Sequence, residues 1–462
     1  MARHLSDDTI LTFKCLKVMY GQDDAGKISQ DQCNAHLAKH GYVETTTPCL
    51  FKSTDPKNNT LMLQWCDDFF VAYDNRSNNL AHLVKIMKLR YPIKVSDNTT
   101  QYLGFHINLQ RSKSHLHKDK LDLDMPNYAM NGIGKLQGPT WKPDKCPGSP
   151  SKYIPIHYTQ GPQLEEIDES PPATAEQQKW IRSFVGIFRY WAEAVAPLII
   201  VVMSKIASRQ ENPTVNTYAE AQRVLSWIYH HPNSTITFYP SNMQLHCHSD
   251  ASYLSEPKSR SRAAGYITCG EPQFQSPDQP FQVNGAAAII SRIIPTVVRS
   301  AHEAEYAGLF INATELTEMR ETMRNLGFPQ LPIPIIYDNT IAGKIANNSV
   351  KKHKYSKVIS INYHWIKDRI KAGHFTLKWA PGKTNLADFF TKLHPVNHFQ
   401  SMLKVYCSTS SRQTHPSQSN SESNLPSALS SNTSTSPSSS FPAKPIKHVH
   451  FRRKPSIIHS PY

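Results

Sequence analysis

Leu245-His-Cys-His-Ser-Asp250-Ala-Ser-Tyr253 is the stretch whose reading decides the fold. A short run of strand character ends on a carboxylate, and similar runs flank it. Thr237-Phe-Tyr239, Leu245 to Asp250 and Ala263 to Thr268 read as consecutive antiparallel strands. Ser300 to Leu326 then reads as a long amphipathic helix, with Leu309, Ala313, Leu316 and Met323 as its apolar stripe. Gly327 is a C-terminal stop, and Pro329 follows it. Pro334-Ile-Ile-Tyr-Asp338 has the continuous apolar character of a buried strand. Helices are expected at Ile341 to Asn347 and Ile359 to Ala372, a strand at Phe375 to Trp379, and a last helix at Asn385 to Leu393 with Thr384 as its cap. Strands, helix, strand, helices, strand, helix is the order of an α/β (α+β) domain: a mixed sheet with helices packed against it.

Working toward the N-terminus, Ala173 to Ser208 and Thr217 to His231 read as two or three helices, with Ile181, Val185, Phe188 and Ala192 on one face. Between 131 and 173 prolines recur and interrupt any long element. Residues 1–130 mix patterns. Asp31 to His40 and Leu80 to Tyr91 read as helices, and Gln101 to Leu109 as a strand. Thr60 to Gln64 and Phe69 to Tyr73 form a hairpin whose turn, Trp65-Cys-Asp-Asp68, carries two adjacent carboxylates. The expected divisions are 1–130, a linker at 131–173, a helical connection at 174–235, the mixed-sheet domain at 236–400, and a tail at 408–462. The tail is rich in Ser, Pro, Thr and Asn and is read as disordered, because so few aliphatic residues cannot offset the ordering entropy. It ends in a basic stretch, Lys444 to Lys454. Within that stretch Lys447-His-Val-His-Phe451 fits a short basic-x-V-x-F phosphatase-docking pattern.

Composition bounds the function. The chain has 462 residues, 39 % of them hydrophobic, and a formal net charge of +15. That balance favours a polyanionic partner, most simply nucleic acid. Its 8 cysteines include no C-x-x-C pair, so reduced thiols and an intracellular setting, cytoplasmic or nuclear, are expected. The most apolar run, Ala194 to Met203, contains Pro197 and is about half the length needed to span a bilayer, so it reads as a buried helix and no membrane association is expected.

The chemistry lies in carboxylates at element ends. Cleaving a phosphodiester requires an activated water and a neutralised leaving oxygen, which two Mg²⁺ ions (or Mn²⁺) about 3.5–4 Å apart can supply. Such ions take hard oxygen ligands. Asp250 and Asp338 end strands, Glu303 sits in the first turn of the long helix, and Asp388 lies in the final helix. Singly, each is an ordinary turn former or helix-dipole partner. Their joint order on the elements makes them candidate metal ligands.

Asp250-Ala-Ser-Tyr253, Ser300-Ala-His-Glu-Ala-Glu-Tyr306, Tyr337-Asp-Asn339, Ser356 to His364 and Leu386-Ala-Asp-Phe-Phe-Thr-Lys392 resemble, in order, phrases of copia-type retrotransposon polyproteins. Arg182 to Tyr190 and Ala219 to Tyr229 resemble that family's helices between polymerase and ribonuclease H. The resemblance implies a truncated reverse-transcriptase palm/thumb remnant followed by a ribonuclease H-like mixed five-stranded sheet. It implies Asp250, Glu303, Asp338 and Asp388 as catalytic metal ligands, with Glu303 preferred to Glu305. Asp250 would bridge two ions, with Glu303 and Asp338 completing one site and Asp388 the other. The implied partner is an RNA–DNA hybrid, beside other polyprotein segments. Trp65-Cys-Asp-Asp68 resembles the polymerase Y-V-D-D loop, which makes Asp67 and Asp68 the remnant metal site. Asp24 stands where the family has Gln, and the family's earlier aspartate strand is expected upstream of this chain's start, so DNA synthesis by the chain alone is not expected. The alternative is a decayed or host-retained relic that only binds nucleic acid.

Overall fold

The computed structural model describes residues 23–66, 68–73, 78–96, 100–111, 119–138, 168–270, 283–339, 357–409 and 447–451. The chain forms two compact units, Met1–Thr99 with Thr433–Tyr462, and Thr100–Asn432.

In the first unit, helix α1 (Ala25–Lys39) precedes strands β1 (Tyr42–Glu44), β2 (Leu50–Ser53), β3 (Leu61–Trp65) and β4 (Asp68–Ala72). Helix α2 (Asn79–Lys88) and strand β5 (Ile93–Ser96) follow. Both helices bury one stripe, including Leu37 on α1 and Leu83 and Ile86 on α2, against Phe51, Met62, Phe69 and Val71 of the sheet. The expected hairpin is present, with Trp65 paired to Asp68 and the turn made by Cys66 at φ +52°. The sheet order is β1-β2-β3-β4-β16-β5, where β16 is Lys447–Phe451 from the tail. β16 runs antiparallel to both β4 and β5, with His450 in register with Asp68. The tail was expected to be disordered throughout. Two of its stretches instead complete sheets: β16 here and β15 (Ser408–Thr409) in the second unit. Residues 410–446 lie outside the described residues.

The second unit begins with β6 (Gln101–Tyr102), β7 (Phe105–Gln110) and β8 (Lys120–Asp124). The single strand expected at 101–109 is thus two, turned by Leu103 at φ +50° and Gly104 at φ +86°. These strands were grouped by sequence with the first 130 residues. They belong to the second unit, because β8 pairs antiparallel with β9 (Ser234–Phe238). Helix α3 (Pro126–Gln137) runs into the segment expected to be a linker. Helix α4 (Ala175–Val195) starts at a capping box in which Thr174 and Gln177 satisfy each other's backbone N–H groups. A 3₁₀ turn at Pro197–Ile199 separates it from α5 (Ile200–Arg209), and α6 (Val215–His230) follows. The apolar run is therefore kinked at Pro197 and buried. Among the described residues no helix is long and apolar enough to cross a membrane.

The expected five-stranded mixed sheet is present, with one strand exchanged. Its order is β12-β11-β10-β13-β14, with β10 at Leu245–Glu256, β11 at Arg260–Cys269, β12 at Ala286–Ile293, β13 at Ile333–Tyr337 and β14 at Phe375–Trp379. β10, β11 and β12 are antiparallel neighbours, and β13 and β14 add in parallel. Thr237-Phe-Tyr239 was expected to be its first strand. β9 leaves for the other sheet, where it pairs with β8 and β15, and the unpredicted β12 pairs with β11 as an edge strand of this one. Helix α7 (Ala301–Asn325) covers one face with α8 (Lys357–Lys371), burying Leu309, Ala313, Leu316 and Ile366 against Cys247, Ile267 and Ile335. The opposite face meets the α4–α6 core through Tyr266, Phe389 and Phe390. The helix expected at 341–347 lies outside the described residues. No α-helix forms at 385–393. Asp388–Phe390 is one 3₁₀ turn, and Thr384 donates its hydroxyl to Pro381 O rather than capping. The next helix, α9, is Val396–Tyr406.

Candidate metal centre

β10 is the central strand of the mixed sheet, and its parallel register with β13 pairs His248 with Ile336. Advancing two residues along both strands brings Asp250 beside Asp338, which lies just past the end of β13. Asp250 was expected to end its strand; it lies instead midway along β10, which pairs on past it with β11, and is 5 % exposed. The third carboxylate comes from α7. Its approach depends on Gly308, where a Cβ would stand 3.1 Å from Asp250 O and 3.3 Å from Ala251 Cβ. Glu305 lies one turn before Gly308 and reaches the same place. One carboxylate oxygen from each of Asp250, Glu305 and Asp338 lies within 4.8 Å of the others.

The sequence reading favoured Glu303, and the geometry replaces it with Glu305. Glu303 accepts Arg299 N–H at 2.8 Å, so its side chain folds back on the helix entrance. Ser300 Oγ caps that same entrance by accepting Glu303 N–H at 3.3 Å. Residues two apart on a helix point about 200° apart, so only one of this pair can face the strand. The apolar stripe held the signal: four residues before Leu309 is Glu305, on the face that covers β10.

Asp388 stands close by. Its turn is moored to β10 by Asn385 Nδ2 donating to Ser249 O (3.0 Å), Leu386 N donating to His248 Nδ1 (3.3 Å) and Ser252 Oγ donating to Thr391 O (2.9 Å). Its charge raises the pKa values of both Asp250 and Asp338, yet its Oδ1 is held by Lys392 Nζ at 2.9 Å. It also gathers with His394 and His398. Asp388 thus borders the trio without joining it. Gly382 was not foreseen as part of the site. A Cβ there would fall 2.7 Å from Asp338 Oδ2, so any larger residue would push that carboxylate oxygen aside.

The electrostatics are those of an acidic cluster short of positive charge. Burial pushes the Asp250 carboxyl up, and the charges of Asp388 and Asp338 add to that; Ala251 N–H pulls it partly back. Burial likewise pushes Glu305 up, followed by the charges of Asp250 and Asp338. Asp338 rises mainly through burial. Carboxylates crowded in low dielectric ionise together only when a cation shares the space. An all-oxygen donor set of this kind fits Mg²⁺ or Mn²⁺.

In the first unit, Asp68 begins β4 at the hairpin turn, and Asp67 lies outside the described residues. The carboxylate at the turn is thus placed for Asp68 alone.

The geometry defines a mixed-sheet α/β protein with an acidic centre competent to hold a divalent ion. The chain's homologues are copia-type retrotransposon Pol polyproteins, as the sequence phrases implied. It is 24 % identical over 379 residues to the retrovirus-related Pol polyprotein from transposon RE2 of Arabidopsis thaliana, covering 81 % of this chain and 24 % of that one. It is 22 % identical over 394 residues to the retrovirus-related Pol polyprotein from transposon TNT 1-94 of Nicotiana tabacum, covering 84 % and 27 %. The transposon Ty1-ER2 Gag-Pol polyprotein of Saccharomyces cerevisiae is 24 % identical over 416 residues, covering 85 % and 22 %. The chain therefore spans about a quarter of the length of these relatives. No protein-family model matches it. Among solved structures, a foamy viral protease-reverse transcriptase in complex with RNA/DNA hybrid aligns with TM-score 0.40 at 13 % identity, covering 82 % of this chain and 40 % of that one. The N-terminal RNase H domain of a Mycobacterium tuberculosis protein aligns with TM-score 0.23 at 12 % identity, covering 35 % of this chain and 98 % of that one.

Proposed function

We propose that the mixed-sheet domain is a metal-dependent nuclease of the ribonuclease H type, cutting the RNA strand of RNA–DNA hybrids. The observation that carries this reading is the convergence of Asp250, Glu305 and Asp338 from three separate elements. These three would hold the divalent ions, with Asp388 alongside. Bound there, Mg²⁺ or Mn²⁺ supplies an activated water and neutralises the departing oxygen. Asp250 and Asp338 bring ligands from paired strands, Glu305 from the covering helix, and Gly308 and Gly382 keep the space they need. Backbone phosphates and 2′-hydroxyls would carry hybrid recognition, helped by the basic balance of the chain. An intracellular setting, cytoplasmic or nuclear, goes with this substrate.

A hybrid-cleavage assay in Mg²⁺ tests the reading. The purified chain is expected to cut, and Asp250→Asn to lower the rate at least ~100-fold, the scale of losing a group that stabilises transition-state charge. No cutting by the wild-type chain, or undiminished cutting by Asp250→Asn, overturns it.

A second reading is a relic that binds nucleic acid without cleaving it. The ion pair of Asp388 with Lys392 favours it, because the ammonium already neutralises the Asp388 oxygen that would otherwise serve ions held by the trio. That reading predicts salt-sensitive binding to many nucleic acids and no metal-dependent product. DNA synthesis by this chain alone remains outside both readings. Primer extension on an RNA template would reverse that.

A further inference from the structure

The geometry points to a second metal site beside the acidic trio, built from Asp388, His394 and His398 and suited to a first-row transition ion such as Zn²⁺ or Co²⁺. One ligand atom from each residue lies within 4.8 Å of the others. Two imidazoles and one carboxylate form a donor set of intermediate softness, which selects Zn²⁺ or its neighbours over Mg²⁺.

The surroundings are those of a ligand-holding site rather than of loose surface histidines. His394 is only 5 % exposed, and its ring stacks on Phe389 with centroids 4.7 Å apart and planes 10° apart. Its Nε2 lies 3.1 Å from Phe389 O. A carbonyl can only accept, so Nε2 carries the hydrogen and Nδ1 keeps its lone pair. A backbone carbonyl holding one ring nitrogen is a common way of fixing the tautomer and orientation of a ligating histidine. His398 sits in the first turn of α9, its ring centroid 4.6 Å from that of His394. Asp388 is fixed by Thr391 Oγ1 donating to its carbonyl at 2.8 Å. Lys392 Nζ donates to Asp388 Oδ1 at 2.9 Å, so an ion here would take Asp388 through its other oxygen. The site shares Asp388 with the surroundings of the acidic trio but takes none of the trio's own ligands.

The experiment uses the full chain carrying Asp250→Asn and Glu305→Gln, so that the acidic trio is disabled and only the second site is read. Co²⁺ is titrated and followed by its visible absorption. The expected result is a saturable absorption change that millimolar Mg²⁺ does not displace, with apparent affinity falling about tenfold or more when His398→Ala is added. His398 is exposed and meets the rings of His394 and Phe389, so circular dichroism on the same samples checks that its replacement leaves the fold unchanged. Absence of a saturable signal, its displacement by Mg²⁺, or unchanged Co²⁺ affinity in His398→Ala overturns the proposal. Because the trio is already disabled, either outcome is independent of whether the chain cleaves hybrids.

Discussion

Glu303 and Glu305 differ by a rotation of the helix, and that rotation separates a structural carboxylate from a candidate ligand. Glu305→Gln is expected to reduce Mg²⁺-dependent cleavage at least ~100-fold, as Asp250→Asn does. Glu303→Gln is expected to leave the rate within about threefold and to lower stability by about 1 kcal/mol, the scale of one hydrogen bond. Steady-state cleavage and urea unfolding of the two variants separate these outcomes. Equal losses of activity would return Glu303 to the site.

The same carboxyl groups set a pH dependence. Asp250, Glu305 and Asp338 all have folded pKa values raised above those of the unfolded chain, first through burial. Between the unfolded values, near about 4, and the raised folded values, the folded state binds more protons than the unfolded state. The stabilisation they contribute is therefore complete in acid and is lost as pH rises through the folded values. Thermal unfolding in EDTA should show stability falling from mildly acidic through neutral to mildly alkaline pH. Saturating Mg²⁺ should flatten that fall, because the ion favours the charged forms. A metal-free profile that rises over this range would contradict the described electrostatics.

At the level of elements, local periodicity was readable and pairing was not. The stripe of α7 and the apolar run of β13 announce themselves in the chain, and both elements form within a residue or two of their expected limits. β9 looked like part of the mixed sheet because it lies next in sequence to β10. Its backbone pairs instead with β8, more than a hundred residues earlier. The segment Asn385 to Leu393 was expected to be a helix capped by Thr384. Its backbone is held open by Asn385, Leu386 and Thr391 bonding to β10. β16 is the clearest case, since nothing in Lys447-His-Val-His-Phe451 names its partners β4 and β5. A proline in a central strand removes a ladder N–H. Val449→Pro is therefore expected to accelerate hydrogen exchange at amides of 69–71 and 93–95 while leaving β10 and β13 protected. Unchanged exchange in β4 and β5 would remove β16 from that sheet.

For the whole molecule, charge is the dominant sequence-level property. With a formal net charge of +15, binding to an RNA–DNA hybrid should weaken steeply with salt, by about tenfold or more between 50 and 200 mM. Fluorescence anisotropy over that range measures the slope, and salt-independent binding would dissociate the basic balance from nucleic-acid contact. The amino-acid sequence by itself determined the class of fold, the long helix and the start of the central strand, because apolar periodicity is local and survives in one dimension. Only the tertiary structure decided that Glu305 rather than Glu303 completes the trio, that Asp388 leans toward Lys392 and two histidines, and that a tail strand closes the first sheet. Those outcomes depend on helix rotation and on hydrogen bonds between distant segments, which packing sets and no local pattern encodes.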